Sequence, residues 1–328
     1  MERNRVLNIG ILGAAGIAPA SVIAPASRRS DTEILAVASR SHDSATAYAE
    51  RFGIKRAYDG YAAMLADQDV TLVYNALPPS EHAKWSIAAL EAGKNVLCEK
   101  PFALSAAQAR TMVEAASANG VRIIEAFHDY YHPLSEDARA LAVRGELGKL
   151  EHIEAEFFAA IPYDPASLRH DPKLGGGALM DLGCYPVHWV RTIVREEPIV
   201  TSANASLNAL GADMDITAHL RFPSGTTAVI SAGMGLAEGQ RNSLRLIGSE
   251  GTATYTNVVF PSSGHTIHTE IAGVSTNRTV AGLVTYDHQL EAVVEALSSG
   301  HALPTEGRDS IGNLSVIESI YNAAGITH

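Results

Sequence analysis

Cysteine is nearly absent from the chain: Cys98 and Cys184 are the only two in 328 residues. Two cysteines make no disulfide framework, and by themselves they make no zinc site. This usage fits a reducing compartment, and cytoplasmic residence is the expectation. Positive charge is also short. Lys and Arg number 25 against 36 Asp and Glu, for a net charge of -11. A nucleic-acid surface needs clustered basic residues, so no nucleic-acid partner is expected. A local site can still hold an anionic cofactor. No apolar run is long enough to span a bilayer, and no membrane partner is expected. The charged start of "MERNRVLNIGILG" leads into a short apolar stretch that runs straight into a glycine turn. It reads as a first strand rather than a signal peptide.

What is present suits an ordinary globular protein, with 46% hydrophobic and 19% charged residues. The length favours two domains. In the first third, short apolar runs alternate with helical patterns. Strands are predicted at Val6–Leu12, Glu33–Ala38, Leu72–Ala76, Asn95–Cys98 and Arg122–Ala126. Helices are predicted at 18–28, 44–52, 61–66, 81–92 and 106–119. This rhythm predicts a parallel sheet with helices on both faces. Beyond about residue 126 the texture changes. Helical patterns cover 134–144 and 177–194. Strand patterns follow at 150–158, 199–208, 214–222, 226–233, 241–247 and 252–256, with a hairpin at "RFPSGTTAVIS". Consecutive strands without helices between them predict an antiparallel sheet. Two helical patterns, 286–299 and 309–323, close the chain. The expected domains are 1–125 and 126–328.

In "NIGILGAAGIAPAS" a strand runs into Gly13, Ala14, Ala15, Gly16 and Ile17 and then a helix. Gly13 permits a tight turn and Gly16 a close backbone approach, the arrangement that places a pyrophosphate at a helix start. A plain strand–turn–helix corner would read similarly, but the place on the first strand of an alternating pattern favours a dinucleotide. The second strand ends in Ser39 and Arg40, where an NAD site carries an acid for the ribose 2′-hydroxyl. Serine and arginine suit a 2′-phosphate. NADP rather than NAD is the expected cofactor. Lys100 stands where a parallel strand ends, the ligand side of such a sheet. An ammonium there can polarise a developing carbonyl and lower a hydroxyl pKa. A cis Lys100–Pro101 bond is expected. In "GGGALMDLGCYPVHW", Asp181, Tyr185 and His188 fall at i, i+4 and i+7, one face of a helix.

"VYNALPPSEHAKWSIAALEAGKNVLCEKPFALSAAQA" closely resembles the glucose–fructose oxidoreductase / inositol dehydrogenase (Gfo/Idh/MocA) family. The match lies in Leu77-Pro78-Pro79 with His82, followed by Glu99-Lys100-Pro101, and it extends over essentially the whole chain. The resemblance implies an α/β protein. An N-terminal Rossmann domain, a doubly wound parallel sheet, precedes a C-terminal α/β domain with a large, mostly antiparallel open sheet. That sheet implies a homodimer or homotetramer. The resemblance also places Leu77, Pro78, His82, Glu99, Lys100 and Arg169 at the cofactor. It gives Lys100 and Tyr185 the proton being moved and gives Asp181 a substrate hydroxyl, with His188 and Tyr130 beside the substrate. Tyr185 stands where many members have histidine, and either Tyr185 or Lys100 is then the principal proton carrier. Tyr130 stands where arginine is common. His128, Tyr130 and His132 line the pocket or pack.

The implied activity is NADP-dependent hydride transfer at a hydroxyl or carbonyl carbon of a sugar, cyclitol or related polyol. A trans-dihydrodiol or other non-sugar carbonyl substrate is one alternative, to which the 6% aromatic content lends little. A non-catalytic cofactor sensor is another, against which Lys100, Asp181 and Tyr185 weigh. No metal is expected: His265 and His268 have no third ligand in reach of a motif.

Overall fold

The computed structural model describes residues 6–326. Residues 1–5 and 327–328, the outer ends of the two expected domains, lie outside the described residues. The chain forms two compact units, one of residues 1–126 with 289–311 and one of residues 127–288 with 312–328.

The first unit holds a six-stranded sheet of β1 (Leu7–Leu12), β2 (Thr32–Ser39), β3 (Arg56–Asp59), β4 (Leu72–Asn75), β5 (Asn95–Cys98) and β6 (Ile123–Glu125). Its order is β3-β2-β1-β4-β5-β6, and every pairing is parallel. Strands such as "LVYN" and "VLC" are buried along their length because helices cover both faces; β4 has no exposed residue. β3 is the strand that the sequence pattern does not announce, since "RAYD" is neither alternating nor apolar and lies at the sheet edge. Helix ends follow local chemistry. Ser41 and Ser105 cap the helices His42–Phe52 and Ala106–Asn119, and Gly120 ends the second in the left-handed conformation.

Segment 289–311 joins this unit through contacts that are distant in sequence. The Arg122 guanidinium grips Glu306 at 2.8 Å and donates to the Ala296 carbonyl at 2.7 Å, while Glu125 N–H donates to Thr305 O at 2.9 Å.

The second unit holds eight strands: β7 (Leu150–Ala160), β8 (Ile199–Leu207), β9 (Asp213–Arg221), β10 (Thr227–Gly233), β11 (Gly235–Gly248), β12 (Gly251–Thr256), β13 (Ile267–Ile271) and β14 (Val274–Arg278). The order is β14-β13-β12-β11-β7-β10-β9-β8. All pairings are antiparallel except β7 with β10. The β9–β10 hairpin turns at Gly225, whose φ is 92°. Alternation is plain in β9, where Ile216, Ala218 and Leu220 are buried and His219 and Arg221 are exposed. The helical run after the glycines divides into a π turn, Leu179–Gly183, and an α-helix, Cys184–Val194, which lie on β7 and β10. Among the described residues no helix is long and apolar enough to cross a membrane.

Candidate active site

The turn after β1 is built by Gly13, whose φ of 93° strains any other residue. Its N–H donates to Ala38 O at 2.9 Å, and an added Cβ would lie 3.1 Å from Leu77 Cδ2. The glycine turn therefore packs against the loop that follows β4. β1 and β4 are the neighbours at which the strand order reverses, the crevice where open α/β sheets bind ligands. Gly16 and Ile17 are exposed, and nothing lies within 4 Å of the place a Gly16 Cβ would take. Among the described residues the N–H groups of residues 14–17 donate to no backbone carbonyl. Free N–H groups with space in front of them suit a pyrophosphate. At the end of β2, Arg40 is exposed and makes no ion pair among the described residues. Its charge is felt at Tyr61, whose phenol burial raises while the guanidinium pulls it the other way. Ser39 and the capping Ser41 flank it with hydroxyls. The set fits the 2′-phosphate of NADP.

β5 delivers Glu99 and Lys100, both half-buried, and the Lys100–Pro101 bond is cis, as expected. The Tyr74 hydroxyl donates to the Glu99 carboxylate and shares a 2.6 Å hydrogen bond with Ser21 Oγ. Phe102 N–H donates to Glu125 Oε1 at 3.1 Å, which steadies the chain just past the proline. His82 is enclosed, with 1% of its surface exposed. Its ring nitrogens lie 3.0 Å from Pro101 O and 2.7 Å from Leu77 O. Burial pushes this imidazole down to about 4, against the pull of both carbonyls. His82 thus has no surface to lay against a cofactor. It braces the Leu77-Pro78 loop to the Lys100 turn from behind, and any part it has at the cofactor is indirect.

In the second unit, the glycines of "GGG" serve close packing. A Cβ on Gly176 would come within 2.5 Å of Leu168 O, and one on Gly177 within 2.1 Å of Asp213 Oδ1. Buried Asp213 accepts from Leu179 N at 2.7 Å and from the Tyr321 hydroxyl at 2.9 Å, which fixes the start of the π turn.

The π turn also alters the register that places Asp181, Tyr185 and His188 on one face, because its longer turn breaks the α-helical spacing. Asp181 pairs with Arg169 at 2.8 Å, an aspartate one-sixth exposed against an arginine half exposed. The two residues assigned to substrate and cofactor thus contact each other. Tyr185 is 3% exposed, and its hydroxyl lies 3.1 Å from His128 Nε2. His188 has no exposed surface and stacks flat on Phe127 at 4.1 Å. Tyr130 is half-buried beneath the Arg139 guanidinium, which lies 3.7 Å from its ring centre. A cation therefore does stand beside Tyr130, supplied nine residues later.

Three features escape a reading by motif. Thr285 hydrogen-bonds His128 Nδ1 at 2.8 Å from 157 positions away, and Tyr286 packs on the same imidazole at 4.1 Å. Buried Asp129 accepts from Trp189 Nε1 at 2.6 Å, and burial raises its carboxyl. His265 and His268 are engaged by protein partners: His265 with Pro261 O and Val280 N–H, His268 with Asn277.

Residues 7–127 match the model of an oxidoreductase family with an NAD-binding Rossmann fold, and residues 135–254 match the GFO/IDH/MocA C-terminal domain. The chain is 33% identical to D-xylose 1-dehydrogenase (NADP(+)) 2 of Haloferax volcanii, over 96% of each chain. Among solved structures it resembles an aldose-aldose oxidoreductase from Caulobacter crescentus complexed with glycerol, with TM-score 0.89, 27% identity and 98% of each chain covered. It resembles equally a 3-ketoreductase from Actinomadura kijaniata in complex with NADP and TDP-benzene. There the TM-score is 0.90 and the identity 27%, with 97% of this chain and 98% of that one covered.

Proposed function

The chain belongs to the Gfo/Idh/MocA oxidoreductase family, and from that premise we propose that it is an NADP-dependent dehydrogenase or reductase of a sugar, cyclitol or related polyol. The observation that carries the cofactor choice is the end of β2, where Ser39 and the exposed Arg40 stand in place of a carboxylate. The Haloferax relative, named for NADP(+), and the Actinomadura structure with NADP bound support the same reading.

Residues 14–17 hold the pyrophosphate on their N–H groups, and Ser39 and Arg40 hold the 2′-phosphate. NADP, when bound, supplies the hydride acceptor or donor. Lys100 polarises the reacting oxygen electrostatically, and Tyr185 carries the proton at that oxygen. Asp181, oriented by Arg169, accepts from a neighbouring substrate hydroxyl. The outer face of the second sheet is the expected homodimer or homotetramer contact. It carries the cross-strand pairs Arg241–Glu156 and Arg245–Glu154 at 3.1 and 3.3 Å.

The test is a titration of NADP and NAD against the protein. A panel of aldoses, ketoses and cyclitols follows in both directions, read by the absorbance of reduced nicotinamide. Tighter binding of NAD than of NADP overturns the cofactor assignment. A panel with no turnover for any polyhydroxylated compound, while a non-sugar carbonyl turns over, overturns the substrate class.

A further inference from the structure

The hydrogen bonds around Tyr185 carry an inference about how its phenol is set for proton transfer, resting on the reading of Tyr185 as the proton carrier. His128 lies between Tyr185 and Thr285, and all three are buried: 3%, 1% and 1% exposed in the order Tyr185, His128, Thr285. His128 Nε2 is 3.1 Å from Tyr185 Oη, and Nδ1 is 2.8 Å from Thr285 Oγ1. A neutral imidazole has one N–H, so the direction of one hydrogen bond decides the other. Thr285 Oγ1 has no other hydrogen-bond partner among the described residues. Were Nδ1–H the donor, the Thr285 hydroxyl proton would be buried with no acceptor, which costs more than a hydrogen bond returns. With the hydroxyl as donor to Nδ1, both groups are satisfied and the ring proton sits on Nε2, directed at the Tyr185 oxygen.

We propose that His128, locked in its Nε2–H tautomer by Thr285, is a positioning residue that donates to Tyr185 Oη and stabilises the phenolate. The ring is held in place by aromatic packing, 4.1 Å from Tyr286, 5.7 Å from Phe260 and 5.8 Å from Tyr185, centre to centre. Among the described residues, Tyr185 and Tyr286 are the titratable rings packed against it. His188 lies beyond Phe127, and Asp129 turns its carboxylate to Trp189. A donor aimed at the phenol oxygen favours the charged form and lowers the pKa. The neutral imidazole does this without introducing a charge that the buried site would have to solvate.

The test places 3-fluorotyrosine at 185 in the full chain, so that the ring fluorine reports ionisation by NMR apart from any turnover. His128→Phe keeps the packing and removes the donor, and the ionisation midpoint rises by about one pH unit or more. Thr285→Val frees the tautomer and raises the midpoint by less, and His128→Gln, with an amide N–H in reach, restores part of the shift. In parallel, the alkaline pH dependence of kcat/KM for oxidation moves the same way in these variants. A midpoint unchanged or lowered in both His128→Phe and Thr285→Val overturns the proposal. Should His128→Phe fail to fold, Thr285→Val decides alone. Tyr185→Phe separates this from the underlying reading. If it retains turnover, Tyr185 is not the proton carrier, while the fluorine titration still decides whether His128 donates to it.

Discussion

At the glycine turn, what is offered to a ligand is local and open: N–H groups of residues 14–17 and the exposed guanidinium of Arg40, one strand away. Around Tyr185 the arrangement is the reverse. Tyr185, His128 and Thr285 are all buried, and the contacts that set them span 57 and 157 positions. A cofactor bound by backbone needs a turn that four or five residues can encode. A buried phenol that must ionise needs an aimed donor to offset the cost of burial, which only tertiary packing supplies. The first site tolerates solvent, and the second depends on its exclusion.

The comparison breaks most visibly in turnover. Lys100→Met and Tyr185→Phe each lower kcat on the order of 10²-fold or more, the scale of one acid–base group. NADP affinity stays near the parent value, because neither residue belongs to the phosphate site. Steady-state kinetics with a direct NADP titration checks both halves of the statement. A double variant no slower than the worse single one indicates a shared proton path, whereas losses that multiply indicate separate roles. Near-parental turnover in Lys100→Met ends the assignment of an electrostatic role there.

Each unit also buries an imidazole that is pushed toward its neutral form, and here the two behave alike. Burial pushes both His82 and His132 down to about 4, and His132 Nδ1 accepts the Leu134 N–H at 3.0 Å, which a protonated nitrogen could not do. In the unfolded chain these groups titrate near 6.5, so as pH falls the unfolded state takes up protons first. The stability they confer is complete above about pH 6.5 and drains away down to about 4, on the order of 3 kcal/mol for His82. Urea unfolding at a series of pH values between 7 and 4.5 measures this loss. His82→Gln flattens the curve in that window, and a variant curve parallel to the parent's refutes the account.

The phosphate site gives a smaller effect, confined to binding. Arg40→Asp costs about 1–3 kcal/mol of NADP affinity and leaves NAD affinity nearly unchanged or improved. Fluorescence or calorimetric titration of both cofactors checks it, and equal losses for the two show that Arg40 does not read the 2′-phosphate.

How far each half is legible follows from the same contrast. The strands of the parallel sheet, apart from edge strand β3, announce themselves as apolar runs between helix signals, and Gly13, Gly16, Arg40 and Lys100 fall at strand ends that the pattern locates. The return of 289–311 to the first unit is invisible, because it rests on Arg122 meeting Glu306 across 184 positions. β13 and β14 escape because "IHTEI" and "VSTNR" are short, and β14 is exposed along its whole length at the edge of the sheet. The motif around Asp181 and Tyr185 locates a helical segment. The spacing cannot show a π turn inside it, nor that the glycines before it make room for Asp213.

The smallest expected effect concerns an ion pair in the second site that solvent reaches. Arg169 is 53% exposed and Asp181 17%, so their 2.8 Å contact is screened on the arginine side. Exposed ion pairs contribute about 0–1 kcal/mol, and Arg169→Gln accordingly leaves the unfolding midpoint almost where it was. Its effect lies in orientation. With Arg169 gone, Asp181 loses the partner that holds Oδ2, and the aim of the carboxylate loosens. The apparent KM for the sugar then rises several-fold while kcat falls little, since Asp181 in this reading binds a hydroxyl and moves no proton. Asp181→Asn raises KM further, because it removes the charge as well as the aim. A fall in kcat with KM unchanged in Arg169→Gln contradicts this division of labour. It would place Asp181 in the proton path and make the second site, like the first, partly dependent on a group that solvent can reach.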